Sequence, residues 1–186
     1  MPQPYRVATL VGSLREGSLN RRAAHAMAGL APASLTFAFV EIGDLPLYNE
    51  DLDKGDPPSQ WRRFRDEIRP ADAVLFVTPE YNRSVPGLLK NAIDVGSRPY
   101  GASVWAGKPA AVASVSPGGL GGFGANHHLR QSLVFLDMPV MQQPEAYLGG
   151  AGAYFDADGK LANEGTAKFM RTFIEAFARW IETIAG

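Results

Sequence analysis

The sequence predicts an α/β fold: a doubly wound, five-stranded parallel sheet of order 2-1-3-4-5 with helices on both faces. Three observations predict it. Apolar, β-branched runs alternate with segments of helical period. Those runs are nearly continuous in apolar residues, the mark of strands covered on both faces. The 186-residue length accommodates five such strand–helix units in one domain, 1–186, with no repeat and no linker.

Taken in order, "YRVATLV" (5–11), "LTFAFVEI" (35–42), "AVLFVTP" (73–79) and "PAAVASVS" (109–116) read as strands, with a weaker fifth around "MPVM" (138–141). Helical spacing covers 18–31, then "PSQWRRFRDEI" (58–68), where Trp61, Phe64 and Ile68 share a face. The charges of that helix, Arg62, Arg63, Arg65, Asp66 and Glu67, read as its solvated side. "GLLKNAIDV" (87–95) and 123–136 are further helices. The last, 162–185, sets Phe169, Phe173, Phe177, Trp180, Ile181 and Ile184 on one stripe, expected to pack on a sheet face. Segments 43–57 and 97–108 read as surface excursions or partner contacts.

Composition narrows the chemistry. With 46% hydrophobic and 20% charged residues, the chain has the balance of a globular domain. A net charge of −1 argues against a nucleic-acid partner and lacks the acidity of an electron carrier that docks on basic proteins. No apolar stretch is long enough to span a membrane. The short apolar run near the N-terminus ends in the Gly12 loop and lacks the features of a leader peptide, so a cytoplasmic location is expected. Cysteine is absent, which removes thiol redox motifs, zinc–thiolate sites and Cys nucleophiles. Any redox chemistry must therefore be carried by a bound cofactor.

In the predicted topology the loops after strands one, three and four converge where the strand order reverses. The first, "GSLREGSLN" (12–20), runs from a strand into a helix, whose first turn offers unpaired N–H groups and a positive dipole end. It matches the nucleoside-triphosphate loop only at Gly12 and Gly17, since Ser18 and Leu19 stand where lysine and the magnesium hydroxyl belong. On this stretch alone a phosphomonoester cradle and an ordinary βα turn fit equally well. As a cradle it offers the hydroxyls of Ser13 and Ser18, the amide of Asn20 and the cation of Arg15 to a group carrying about −1.5 to −2 charges. The third loop, "TPEYNRSVPG" (78–87), brings the flat ring of Tyr81, with Asn82 and Ser84 suited to bonding the backbone. The fourth, "SPGGLGGFG" (116–124), brings glycine backbone that a planar ring could approach closely.

Other motifs carry less. "GLGGFG" (119–124) fits a dinucleotide pattern but follows the fourth strand, and the acidic partner on a second strand is missing. "FDADGKL" (155–161) opens like a calcium loop yet reads better as a hairpin turning at Asp158-Gly159. His127 and His128 are adjacent and so point apart on a helix, while His25 is distant in sequence; no metal site is expected.

With "GSLREGSLNR" (12–21), "LPLYNEDLD" (45–53), "PEYNRSVPGLLKNAID" (79–94) and "SPGGLGGFGANHHLRQ" (116–131) in view, the chain closely resembles the NADPH-dependent FMN reductase family. These are flavodoxin-like proteins that include quinone, azo-dye and chromate reductases. The resemblance implies FMN, its phosphate held at Ser13, Arg15, Ser18, Leu19 and Asn20. It implies that the ring lies against Pro79, Glu80, Tyr81, Asn82, Ser84, Ser116 and Gly118. It implies a ping-pong oxidoreductase in which NADPH or NADH reduces the flavin and a small-molecule acceptor reoxidises it. The alternatives are a flavin reductase with FMN as dissociable substrate, or a flavodoxin-like carrier or sensor. Homodimers or homotetramers are expected, with the third helix at the interface. Two positions depart from the family pattern: Val95 where tryptophan is frequent, and Gly124 where arginine is frequent.

Overall fold

Alternate residues of each strand feed opposite helical layers, and that alternation builds two cores. In the computed structural model, which describes residues 3–185, the strands are β1 (Tyr5–Val11), β2 (Leu35–Phe39), β3 (Ala73–Thr78), β4 (Ala110–Val115) and β5 (Ala146–Leu148). All pairings are parallel and the sheet order is β2-β1-β3-β4-β5, as the sequence predicts. The helices are α1 (Leu19–Leu30), α2 (Ser59–Ile68), α3 (Gly87–Gly96), α4 (Phe123–Phe135) and α5 (Glu164–Ala185). Val7, Leu75, Val77 and Ala113 pack with α1 and α5, while Ala8, Leu10, Phe76 and Val112 pack with α2, α3 and α4.

The aromatic stripe of α5 is core, with Phe173, Phe177 and Ile181 fully buried; Phe169 and Trp180 pack at the edge, and Ile184 is partly exposed. "FDADGKL" closes as a hairpin, bridging Phe155 to Leu161 with Gly159 at φ 78°.

Three expectations need correction. The fifth strand is not 138–141: Val140 makes one bridge to Ala110, and the full ladder forms later, at Ala146–Leu148. Pro139 and Pro144, which have no N–H to give a ladder, flank the break. Arg65 is not on the solvated side of α2. It is buried against Asp53, and its Nε donates to the Val95 carbonyl. The segments 43–57 and 97–108 are likewise not only surface, since Leu45, Val104 and Trp105 enter the core. Asn91 fastens the first of these, accepting from the Tyr48 N–H and donating to the Leu45 and Pro46 carbonyls.

Candidate functional site

Because β1, β3 and β4 are adjacent, the loops that leave their C-terminal ends share one edge of the sheet. Direct contacts join them. Gly12 is so close to loop three that a Cβ there would lie 3.2 Å from both Pro79 Cδ and Thr78 Oγ1. Asn20, on α1, donates its amide to the Val115 carbonyl at the end of β4, 3.3 Å away. Gly122, in loop four, is as tightly placed, its would-be Cβ 2.9 Å from Ser114 Cβ and 3.8 Å from Glu80 Cβ.

Loop one is a preformed donor set. Ser18 caps α1, its hydroxyl accepting from the Arg21 N–H at 3.2 Å. No acidic residue occupies the first turn of α1 to compete for its positive end. Among the described residues, the N–H groups of Leu14, Arg15, Leu19 and Asn20 donate to no protein acceptor, and Arg15 pairs with no carboxylate. Ser13, Ser18 and Asn20 are buried polar residues, and Asn20 Oδ1 is sealed from solvent with no donor to meet. A ligand with both an anionic group and hydroxyl donors matches that inventory, and FMN carries a phosphate and a hydroxylated ribityl chain. One hydrogen of the Asn20 amide is already spent on Val115.

Loop three is a tight hairpin. Tyr81 and Ser84 exchange two backbone bonds of 3.1 and 3.0 Å, and Asn82 (φ 52°) and Arg83 (φ 62°) form the two-residue turn. Both central residues at positive φ define a type I′ turn, a form Asn adopts readily and Arg does not. Tyr81 is left half exposed, and the Glu80 N–H has no protein acceptor among the described residues. The Glu80 carboxylate turns toward the N-terminus of α4. Burial alone would raise its pKa, but hydrogen bonds from Ala125 N–H, the Arg83 side chain and Gly124 N–H outweigh that and hold it below the usual value.

Loop four is braced from behind. The Ser116 N–H donates to the Leu148 carbonyl, the Gly118 N–H to Ser116 Oγ at 3.1 Å, and the Ala151 N–H to the Ser116 carbonyl. Ser114 Oγ donates to the Gly121 carbonyl at 2.7 Å. Gly149 admits loop four only because it has no side chain, since a Cβ would stand 2.6 Å from the Gly119 carbonyl oxygen. Sequence reasoning missed this brace because it put the fifth strand at 138–141. "AYLGGAGA" (146–153), an apolar strand end followed by glycines, is the signal that could have found it.

Thus the structure gathers Ser13, Arg15, Ser18, Leu19 and Asn20 at one end of the edge. Pro79, Glu80, Tyr81, Asn82 and Ser84 lie on loop three, with Ser116 and Gly118 beyond it on loop four. Outside this set, His128 Nδ1 meets Ser84 Oγ at 3.1 Å and His127 Nε2 meets the Tyr147 hydroxyl at 2.9 Å, the divergence their adjacency requires.

Known proteins share this architecture over nearly their full length. The family model for NADPH-dependent FMN reductase matches residues 5–153. A quinone reductase of Pseudomonas putida is 66% identical over 182 residues, 98% of this chain and 97% of its own. A 2-hydroxy-1,4-benzoquinone reductase of a Burkholderia species is 48% identical, over 95% of this chain and 96% of its own. Among solved structures, the flavoenzyme NAD(P)H:(acceptor) oxidoreductase FerB of Paracoccus denitrificans superposes with a TM-score of 0.91 at 46% identity, covering 97% of this chain and 98% of that one. With its sheet order, its three-loop edge and relatives of this closeness, the chain belongs to the NADPH-dependent FMN reductase family.

Proposed function

We propose that this enzyme is an NAD(P)H:quinone oxidoreductase that works through FMN seated across loops one, three and four. The observation that carries the reading is the unspent donor set of loop one beside the half-exposed Tyr81 of loop three. The two quinone reductase relatives supply the acceptor class. When bound, FMN would supply the redox chemistry that links two-electron oxidation of NAD(P)H to two-electron reduction of the quinone.

The protein's part is position and electrostatics. Arg15, the free N–H groups and the α1 N-terminus hold the phosphate, aided by Ser13, Ser18, Leu19 and Asn20. Pro79, Tyr81 and Ser84 would wall the ring, with the Glu80 N–H and the Asn82 amide offered to its polar edge. Ser116 and Gly118 approach from loop four as bare backbone. No acid, base or nucleophile of the chain is needed. Azo dyes and chromate join quinones as acceptors in this proposal, since a ring open on one face admits any of them.

A homodimer or homotetramer is part of the same reading. A cleft of about 530 Å³ runs between α3 and α4, lined by Val85, Ile93, Phe135 and Leu136. Phe135 and nearby Val134 are largely exposed in the single chain. A cytoplasmic location follows from the nicotinamide donor.

The test is a visible spectrum of the protein, reconstituted with FMN if colourless, recorded under argon before and after one equivalent of NADPH. The expected result is rapid bleaching of the flavin band and its return on adding benzoquinone. A band that persists in excess NADPH and NADH would make the chain a carrier or sensor instead.

A further inference from the structure

We propose that the Glu80 side chain is a positioning residue: its carboxylate latches loop three onto the N-terminus of α4 and so sets where the ring side of the site stands. This rests on the flavin reading above and adds a role for a side chain that reading leaves out. Helix α4 begins without a cap of its own. Its N-cap is Gly122, at φ 76°, with no side chain to offer, and its first turn holds no acidic residue. Glu80 supplies the missing acceptor from 45 residues away, Oε2 taking the Ala125 N–H at 3.1 Å. Its other oxygen takes Arg83 Nη1 at 2.8 Å, which ties down the turn residue held at positive φ. The carboxylate is only 11% exposed, while the Arg83 side chain stands in solvent. A second tie, Ser84 Oγ to His128 Nδ1 at 3.1 Å, fixes the far side of the hairpin to the next turn of α4.

Gly124 makes the latch possible. A Cβ at this position would lie 2.9 Å from Glu80 Oε2 and 2.9 Å from the Arg83 carbonyl oxygen. Any side chain there must therefore push loop three away from α4. The glycine that departs from the family pattern is thus the counterpart of Glu80, and the two act on the site as one unit. Ionisation strengthens the arrangement, because an anion at a helix N-terminus meets both N–H donors and the dipole.

The test compares wild type with Glu80→Gln, Gly124→Ala and the double variant. FMN affinity is read by quenching of flavin fluorescence, flavin midpoint potential by spectroelectrochemistry, and apoprotein melting by circular dichroism. Each single variant is expected to weaken FMN binding roughly tenfold, because either one loosens the charge-assisted tie that holds loop three on α4. The potential should shift in the same direction in both, and the double variant should be no worse than the poorer single one. Lower melting temperatures with wild-type affinity and potential would make Glu80 only a helix cap and overturn the proposal. Additive losses in the double variant would also overturn it, because residues 80 and 124 would then act separately. Wild-type protein that binds no FMN would overturn the flavin reading itself, and the proposal with it.

Discussion

Arg65 and Asp53 form a buried, two-pronged ion pair, with Nη1–Oδ1 at 2.8 Å and Nη2–Oδ2 at 2.7 Å. Their side chains are 7% and 4% exposed. The pair pins the segment after β2 to α2, and Arg65 Nε reaches on to the Val95 carbonyl of α3 at 2.9 Å. Val95 therefore serves α2 through its backbone, while its own side chain is buried beside α2 in the core. Removing one partner leaves an uncompensated buried charge, which costs about 3–5 kcal/mol. Asp53→Ala should lower stability by that order in urea unfolding, and Arg65→Lys should lose much of it too, since an ammonium cannot reproduce the fork. A loss below about 1 kcal/mol, the range of exposed pairs, would show that the pair is open to water.

Gly96 is fixed by sterics rather than by backbone freedom. A Cβ there would penetrate the Trp105 ring, standing 2.6 Å from Nε1. That indole is fully buried and its Nε1 donates to the Ile93 carbonyl at 3.0 Å. Gly96→Ala should destabilise by about 1–3 kcal/mol as an overpacked core does. It should also blunt the near-ultraviolet circular dichroism of the tryptophans. Unchanged melting with an unchanged tryptophan signal would mean that α3 slides to accommodate the methyl.

Most of this architecture was legible because strand and helix periods are local properties. Trp61, Phe64 and Ile68 announce the buried face of α2, and the β-branched runs announce four strands. What was not legible depends on distant partners. Arg65 stands in a run of charges, between Phe64 and Asp66, and reads as solvated until Asp53, twelve residues upstream, is seen to meet it. "MPVM" has strand composition, but pairing is decided by which backbone N–H groups face β4, and the three-residue strand at Ala146–Leu148 is too short for a periodicity to register. At the site, the residues carried by motifs fell on one edge, whereas the contact of Glu80 with α4 had no signature. Glycines at 122 and 124 read as ring access, and in the structure they also admit loop three.

Tyr147 gives a pH prediction with a definite sign. Burial, then a 2.8 Å hydrogen bond to Glu145 Oε1 and the charge of that carboxylate, push its phenol up to about 12. The folded value lies above the unfolded one of about 10. The stabilisation is therefore complete below pH 10 and is lost as pH rises through the folded value. In an absorbance titration at alkaline pH, one tyrosine of the six should ionise near pH 12. Glu145→Gln should bring that step down, because the charge contribution vanishes while burial remains. A wild-type titration with every tyrosine ionising together near 10 would show that the cluster does not persist in solution.

Arg15→Ala separates binding from folding. Arg15 is exposed and pairs with no carboxylate among the described residues, so its loss should leave the melting temperature of the apoprotein within about a degree of wild type. In the proposed seating its contact with the phosphate would be a charge-assisted one of about 1.5–3 kcal/mol, so FMN affinity should fall about ten- to a hundredfold. The loss should shrink as salt rises, since a solvent-facing ion pair is screened. Equal FMN retention by both proteins after dialysis at low salt would remove Arg15 from the phosphate site.

In the same proposal Tyr81 would meet the opposite end of the ligand. It is half exposed, its backbone is fixed by the pairing with Ser84, and its side chain is free of any protein hydrogen bond among the described residues. Tyr81→Phe should therefore behave as wild type in both half-reactions, because a flat apolar wall is all the site takes from it. Tyr81→Ala removes that wall. Aromatic packing worth about 0.5–1.5 kcal/mol should disappear, raising the quinone KM or the FMN dissociation constant a few-fold. Apoprotein stability should hardly change, since an exposed ring contributes little to the core. If Tyr81→Phe were as impaired as Tyr81→Ala, the hydroxyl would be the working group, and the ring would owe its place to a hydrogen bond with substrate rather than to its flat face.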